Sequence, residues 1–373
     1  MIKKKNMHDR NLFFVTKNSK SGGESIFINK IVPFLNKENF LIRTLSISNG
    51  NNSNNEICLN SKLFMNEVIP SIRDYNIIKK EMNNDGLIIN YIFGLQSLYY
   101  FFACFSKNKK IISTFHTNII GKFNIKYPYD LLSKFIIVNL LTLFSKKMIF
   151  ITESQMNEFK FLCLFKNKFN SKSIFIYNFI EKSNILKNKD FKDRDLTLSF
   201  VGRLKKSKGF YDLIKVINKI DNKDIKFKII GEGPLKEKVP QKDSIQVIGE
   251  ISNQKVIEQL DKSQIFILPS YSETFGLVIL EAMARGLVVL ASDLPAIRDY
   301  FIDGRNGYLF PPGDVEKMKE LILYLKNNPQ EIERISKNNL KDIWKFTAEK
   351  QVPKYIKVYK EVLKESKKKN KKC

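Results

Sequence analysis

Ile265-Phe-Ile-Leu268-Pro269-Ser-Tyr-Ser-Glu273-Thr-Phe-Gly276-Leu-Val-Ile-Leu-Glu281-Ala-Met-Ala-Arg-Gly286 reads as one strand, one loop and one helix. Four consecutive apolar residues predict a strand buried on both faces, and Pro269 stops it. After a small polar loop, the apolar run 277–284 predicts a helix that Gly286 closes. The first turn of that helix, from about Thr274 to Leu277, presents backbone NH groups without partners inside the helix, backed by the positive end of its dipole. That makes an anion site at the carboxyl end of a strand.

The same alternation runs outward in both directions. Downstream of position 195, strands are expected at 196–201, 227–230, 245–248 and 287–291, with helices between them. Upstream, apolar runs at 12–16, 41–47, 87–91, 110–115, 148–152 and 173–177 alternate with helical patterns at 24–35, 96–105, 131–145 and 153–165. Uninterrupted apolar strands separated by amphipathic helices predict parallel sheets covered on both faces. The charged, aperiodic stretch 181–195 reads as a linker. The expected fold class is α/β, with two doubly wound, Rossmann-like domains at 1–182 and 196–348, joined by the linker 183–195. A last helix within 349–373, ending in a basic tail, is expected to cross back to the first domain. Ligands of such sheets bind at the carboxyl ends of the strands, so the chemistry is expected in a cleft between the two domains.

At 373 residues and 43% hydrophobic content, the chain can bury two real cores. Cysteines at 58, 104, 163 and 373 have no CxxC spacing, and His8 and His116 are the only histidines. A Cys/His zinc site is therefore not expected, and a reducing compartment is. Leu12 to Val15 is too short an apolar run for a signal peptide, and 135–144 is interrupted by Asn139, so a cytoplasmic protein is expected. The net charge of +26 comes from 55 lysines and only nine arginines. Arginine is the residue suited to planar readout of phosphates and base edges, so no nucleic-acid partner is expected; diffuse attraction to anionic membrane is.

Four features carry candidate chemistry. Glu281 sits among Val278, Ile279, Leu280, Ala282 and Met283, where a carboxylate needs partners. Two readings stand side by side: it accepts a pair of ligand hydroxyls, or it pairs with Arg285 one turn on. In Phe200-Val-Gly202-Arg203-Leu-Lys-Lys-Ser-Lys208-Gly209, a strand opens into a helix through a basic turn, where Arg203 offers a planar fork and Lys208 a point charge suited to a diphosphate. Gly22-Gly23 follows the first strand, where paired glycines admit a phosphate or sugar close to backbone. His116 ends the strand 110–115. Asp193-Arg194-Asp195 spells a metal-nucleotide pattern, but its place in the polar linker makes it a chance match.

In this order, these segments resemble the retaining glycosyltransferases of the GT-B fold, in particular family 4, the glycosyl transferases of group 1. The resemblance covers essentially the whole chain and is densest from Phe200 to Phe310; Glu273 and Glu281, with Phe275-Gly276 between them, are its most specific piece. It implies transfer of a sugar from a nucleoside-diphosphate sugar to a glycan or lipid-linked glycan acceptor, in cell-surface polysaccharide or glycolipid synthesis. It implies that Glu281 accepts the ribose hydroxyls, and that Glu273, Thr274, Phe275, Gly276 and Leu277 hold the donor sugar and its phosphate. Arg203 and Lys208, with Gly202, would neutralise the diphosphate, Gly22 and Gly23 would lie against it, and His116 would contact the donor sugar. No metal or other cofactor is expected, because Arg203, Lys208 and a helix N-terminus supply the positive charge. Thr117 stands where many relatives carry Asp or Gly. A sugar-nucleotide 2-epimerase of the same fold and a non-catalytic polyanion-binding protein are the alternatives; the first is poorly supplied with histidine, and the second is disfavoured by intact Arg203, Lys208, Glu273 and Glu281. The expected location is cytoplasmic, at the inner face of the membrane.

Overall fold

The structure, a computed structural model, describes residues 11–16, 23–46, 56–58, 61–64, 67–70, 86–91, 110–117, 128–188, 196–220 and 224–369. The chain divides into two compact units, one running to Tyr177 and resuming at Gln351, the other Asn178–Lys350.

In the first unit, strands β1 (Asn11–Thr16), β2 (Leu41–Ser46), β3 (Glu56–Cys58), β6 (Leu87–Asn90), β7 (Lys110–Phe115), β8 (Lys147–Phe150) and β9 (Ser173–Phe175) form one sheet in the order β3-β2-β1-β6-β7-β8-β9. Every pairing in it is parallel. A separate antiparallel hairpin, β4 (Ser61–Phe64) with β5 (Glu67–Pro70), was not expected from the sequence. The helix expected at 96–105 lies outside the described residues. From Gln351 the last helix, Ala348–Lys369, belongs to this unit. Lys110 Nζ donates to the Val362 carbonyl at 3.0 Å, Tyr355 to the Ile176 carbonyl at 3.3 Å, and Lys360 pairs with Glu38.

The helix expected at 153–165 is two helices, Glu153–Leu162 and Lys166–Lys172. The break has a polar cause. Buried Asn139, on the helix Pro128–Phe144, donates to the Leu162 carbonyl at 3.1 Å and accepts the Leu164 NH at 2.8 Å, taking both groups away from helical pairing.

The second unit holds β10 (Leu196–Val201), β11 (Ile225–Ile230), β12 (Ile245–Gly249), β13 (Ile265–Leu268), β14 (Val288–Ser292) and β15 (Gly307–Phe310), ordered β12-β11-β10-β13-β14-β15 and wholly parallel. β13 and β14 are buried along their whole length, which is why their sequences are apolar without alternation. Residues 181–188, expected as linker, pack on this unit, where the Leu186 NH donates to the Ala284 carbonyl at 2.8 Å.

Both sheets reverse direction of growth beside their first strand, between β1 and β6 and between β10 and β13. Such reversal points open a crevice at the carboxyl ends of the strands. The basic turn after Val201 and the polar loop after Leu268 thus leave the sheet on either side of one crevice.

Asn339, fully buried, ties β14 to β15 in the second unit by donating to the carbonyls of Leu287 and Asn306 at 2.7 and 2.9 Å while accepting from the Asn306 amide at 2.9 Å. Asn339→Ala orphans about two buried groups and is expected to cost about 2–4 kcal/mol of unfolding free energy. A urea titration against the parent chain checks it.

Candidate functional site

β10 ends at Val201, and the turn that follows is woven into the loop after β11. The Gly202 NH donates to the Ile230 carbonyl, the Leu204 NH to the Glu232 carbonyl, and the Leu235 NH back to the Leu204 carbonyl. Gly231 makes this possible: a Cβ there would stand 2.1 Å from the Gly202 carbonyl oxygen. Arg203 is exposed on the turn, and its side chain has no partner among the described residues. Lys206–Lys208 form a single 3-10 turn, and Gly209, at φ +64°, starts the helix Phe210–Lys219.

Gly209 is also where the two loops meet. A Cβ on it would lie 1.7 Å from the Pro269 carbonyl oxygen, and the Tyr271 NH donates to the Ser207 carbonyl at 3.1 Å. With the backbones this close, Lys208 Nζ reaches Glu273 Oε1 at 2.6 Å. Ser270 donates to the same oxygen at 2.7 Å. A second cross-link lies one turn further on, where Tyr271 donates to Asp212 Oδ2 at 2.7 Å and Lys215 pairs with Asp212 Oδ1 at 3.0 Å. The bond to Asp212 raises the Tyr271 phenol above its ordinary range, so it stays protonated and donating.

The helix Leu277–Ala284 begins where the sequence places it, capped by Gly276 at φ +75°, and Gly286 closes it at φ +69°. Phe275 is buried and stacks on Tyr300 at 4.6 Å, whose hydroxyl donates to the Phe275 carbonyl at 2.6 Å. Burial pushes the Tyr300 phenol far above its ordinary range. Thr274 and Leu277 are half-buried on either side of this anchor, and Glu281 is half-buried one turn into the helix. Arg285, the alternative partner of Glu281, has its guanidinium engaged elsewhere, bridging Asp261 through Nε and Nη2 and donating to the Asn184 carbonyl at 2.8 Å.

The structure therefore brings Lys208 and Glu273 together, with Gly202 and Arg203 on the turn after β10 and Thr274, Phe275, Gly276, Leu277 and Glu281 on the loop and helix after β13. Sequence reading missed Ser270, Tyr271, Asp212 and Tyr300. Asp212 had a signal, as a carboxylate inside the otherwise apolar face of Phe210, Leu213, Ile214, Val216 and Ile217; the tyrosines had none. Among the described residues no three His, Cys, Asp or Glu side chains form a metal-ligand group.

Residues 181–342 match the family model described as "Glycosyl transferases group 1". That match falls within the second unit. An uncharacterized glycosyltransferase of Methanocaldococcus jannaschii is 31% identical over 55% of this chain and 60% of its own length. N-acetyl-alpha-D-glucosaminyl L-malate synthase of Bacillus anthracis is 26% identical over 52% of this chain and 54% of its own. The chain thus matches little more than half the length of these curated relatives. The crystal structure of Anabaena HepE in complex with UDP and glucose superposes with a TM-score of 0.74 over 95% of this chain and 99% of that one, at 15% identity. The likeness is one of fold, and that fold is GT-B. The loop and helix residues described above all lie within residues 181–342.

In the first unit the reversal lies between β1 and β6, and β7 stands one strand beyond it. Gly23 opens the helix Gly23–Lys37, while Gly22 and the metal-nucleotide pattern Asp193-Arg194-Asp195 lie outside the described residues. His116 follows β7, with its ring 4.5 Å from Phe27 and 5.5 Å from Tyr91 and a buried Nε2 that has no hydrogen-bond partner among the described residues. Burial pulls its pKa from 6.5 to about 3, leaving the imidazole neutral.

Between those values the unfolded chain takes up a proton that the folded imidazole refuses, so this contribution to stability is intact above pH 6.5 and declines as pH falls. His116→Asn is expected to flatten the acid limb of the stability profile, by at most about 1.4 kcal/mol per pH unit. Urea midpoints of both chains between about pH 4 and pH 7 measure it. Gly209→Ala, which drives a methyl into the Pro269 carbonyl, is expected to lower the melting temperature by at least about 5 °C, read by circular dichroism.

Proposed function

We propose that the chain is a retaining glycosyltransferase of family 4 that moves one sugar from a nucleoside-diphosphate sugar to a glycan or lipid-linked glycan acceptor in cell-surface polysaccharide or glycolipid synthesis. One observation carries the reading. After β10 and β13, the strands that flank the reversal point, a lysine is fixed by a glutamate whose loop leads into a glycine-capped helix carrying a second, half-buried glutamate.

The first-turn amides of the helix Leu277–Ala284 and the Lys208 ammonium suit a diphosphate. Glu281, one turn along the same helix, suits the ribose hydroxyl pair. Glu273, held by Lys208 and Ser270, faces the donor sugar. As the bond from the sugar's anomeric carbon to the phosphate oxygen breaks, its electron pair goes to the diphosphate, where Lys208 and Arg203 offset the growing charge. The acceptor hydroxyl attacks the anomeric carbon from the same face and passes its proton to the departing phosphate oxygen, which retains the configuration. His116, neutral, is available as a hydrogen-bonding contact to the donor sugar, and Gly22-Gly23 as a backbone contact to the phosphates. The reaction needs no metal in this scheme, and it runs on the cytoplasmic side of a membrane that presents the acceptor. A complex of a fold relative with UDP and glucose supports a nucleotide-sugar donor.

A thermal-shift panel of UDP-, GDP-, ADP- and TDP-sugars tests the reading, since a ligand at about 100 times its Kd stabilises by roughly 2.7 kcal/mol. Glu281→Ala is expected to weaken donor binding at least about tenfold, whereas Lys208→Ala chiefly slows turnover, lowering kcat by about two orders of magnitude with a smaller loss of donor binding. EDTA leaves the rate unchanged. A panel without any shift, or both variants at full activity, overturns the assignment.

A further inference from the structure

In the first unit, the turn between the helices Glu153–Leu162 and Lys166–Lys172 holds large apolar side chains out in water. Phe161 is 76% exposed and Leu164 66%, with Phe165 beside them also exposed, whereas Leu162, Cys163 and Phe169 are buried. The alternation is built in. Asn139 clamps the Leu162 carbonyl and the Leu164 NH, Thr142 Oγ1 lies 3.4 Å from the buried Cys163 sulfur, and Phe169 stacks on Phe159 at 5.6 Å. Buried polar groups thus fix the turn in a shape that faces its apolar residues outward.

The apolar surface continues along the helix Pro128–Phe144. Leu132, Ile136 and Asn139 share one helical row, at spacings of four and three, so the row that ends on the turn carries exposed Leu132, at 60%, and Ile136. Lysines flank the turn in sequence, although the Lys172 ammonium is taken up by the carbonyls of Thr142 and Leu143. Residues 160–172 contain Lys160, Lys166, Lys168 and Lys172 and no carboxylate, and Lys168 Nζ lies 6.0 Å from the centre of the Phe165 ring.

We infer that this face, with Phe161, Leu164 and Phe165 at its tip, docks on the surface of an anionic lipid bilayer. Apolar side chains that protrude from a rigid turn suit insertion among acyl chains, and lysines beside them suit anionic headgroups. A second copy of the chain is the poorer occupant, because a symmetric contact would set the same lysines against each other. A nucleic acid would leave the apolar tip in water. The inference deepens the membrane-side location proposed above by assigning it a surface, but its test reads lipid binding alone.

Full-length protein is sedimented with vesicles of phosphatidylcholine and with vesicles that also contain phosphatidylglycerol. Binding to the anionic vesicles only is expected, falling at least about tenfold in the triple variant Phe161→Ser, Leu164→Ser, Phe165→Ser and in the double variant Lys166→Glu, Lys168→Glu. Both variants keep the parent melting temperature and the nucleotide-sugar thermal shift, so failure of docking and failure of the donor reading are distinguishable. Should the serine variant fail to fold, Phe161→Trp in a Trp344→Phe background replaces it, and its emission shifts to the blue on anionic vesicles. Absence of binding by the parent chain, equal binding by the serine variant, or an unshifted tryptophan overturns the proposal. So does a concentration-dependent dimer that the serine variant abolishes, which gives the face to a second copy.

Discussion

The candidate site depends on how closely the backbone at Gly209 approaches the Pro269 carbonyl. The reversal of strand order between β10 and β13 brings the two loops out of the sheet side by side. Only a residue without a Cβ lets them touch, because a Cβ at position 209 would fall 1.7 Å from the carbonyl oxygen. Contact brings Lys208 within 2.6 Å of Glu273, and the bond from the Tyr271 NH to the Ser207 carbonyl locks the register. The topology sets the two loops side by side, and one glycine lets them touch.

Within the crevice the positive charge is already engaged. Lys208 is half-buried and Glu273 more so, and holding the two apart there would cost each much of its solvation. Their pairing keeps the ammonium in place before any ligand arrives. In the proposed reaction an entering diphosphate shares that ammonium with Glu273, and the growing negative charge of the leaving group draws it further. The Tyr271–Asp212 bond gives the loop a second attachment, so such a shift in Lys208 need not release the loop.

The doubly wound architecture was legible in the sequence because strands buried on both faces must be apolar throughout, and β13 and β14 are. Glycine marked the turns for a similar reason, since Gly209, Gly276 and Gly286 all adopt positive φ. What escaped notice depends on partners distant in sequence. The hydroxyl of Tyr271 finds Asp212 across 59 positions, and no local pattern announces that bond. The break after Leu162 was missed for the same reason: its cause, Asn139, lies 23 residues away on another helix, while the residues around the break look helical. Glu281 was open to two readings because sequence spacing offered it Arg285; Asp261, which takes up that guanidinium, belongs to a different helix.

The large positive charge is not one property spread evenly over the molecule. In the second unit many lysines meet carboxylates at the surface, as in Lys219 with Glu316, Lys236 with Glu232, Lys317 with Glu320 and Lys337 with Glu333. Each such exposed pair adds little to stability, but together they cancel the field locally. Residues 160–172 lack any carboxylate, so there the charge is left to act outward. Lys172 is partly diverted, donating to the carbonyls of Thr142 and Leu143 at the end of a helix, and burial together with Lys168 and Lys146 depresses its pKa. Lys166 and Lys168, both exposed, have no carboxylate of the same segment to meet. A uniform drift toward lysine accounts for the total, but not for a run, 160–172, that holds four lysines and no carboxylate, with Glu158 the nearest before it.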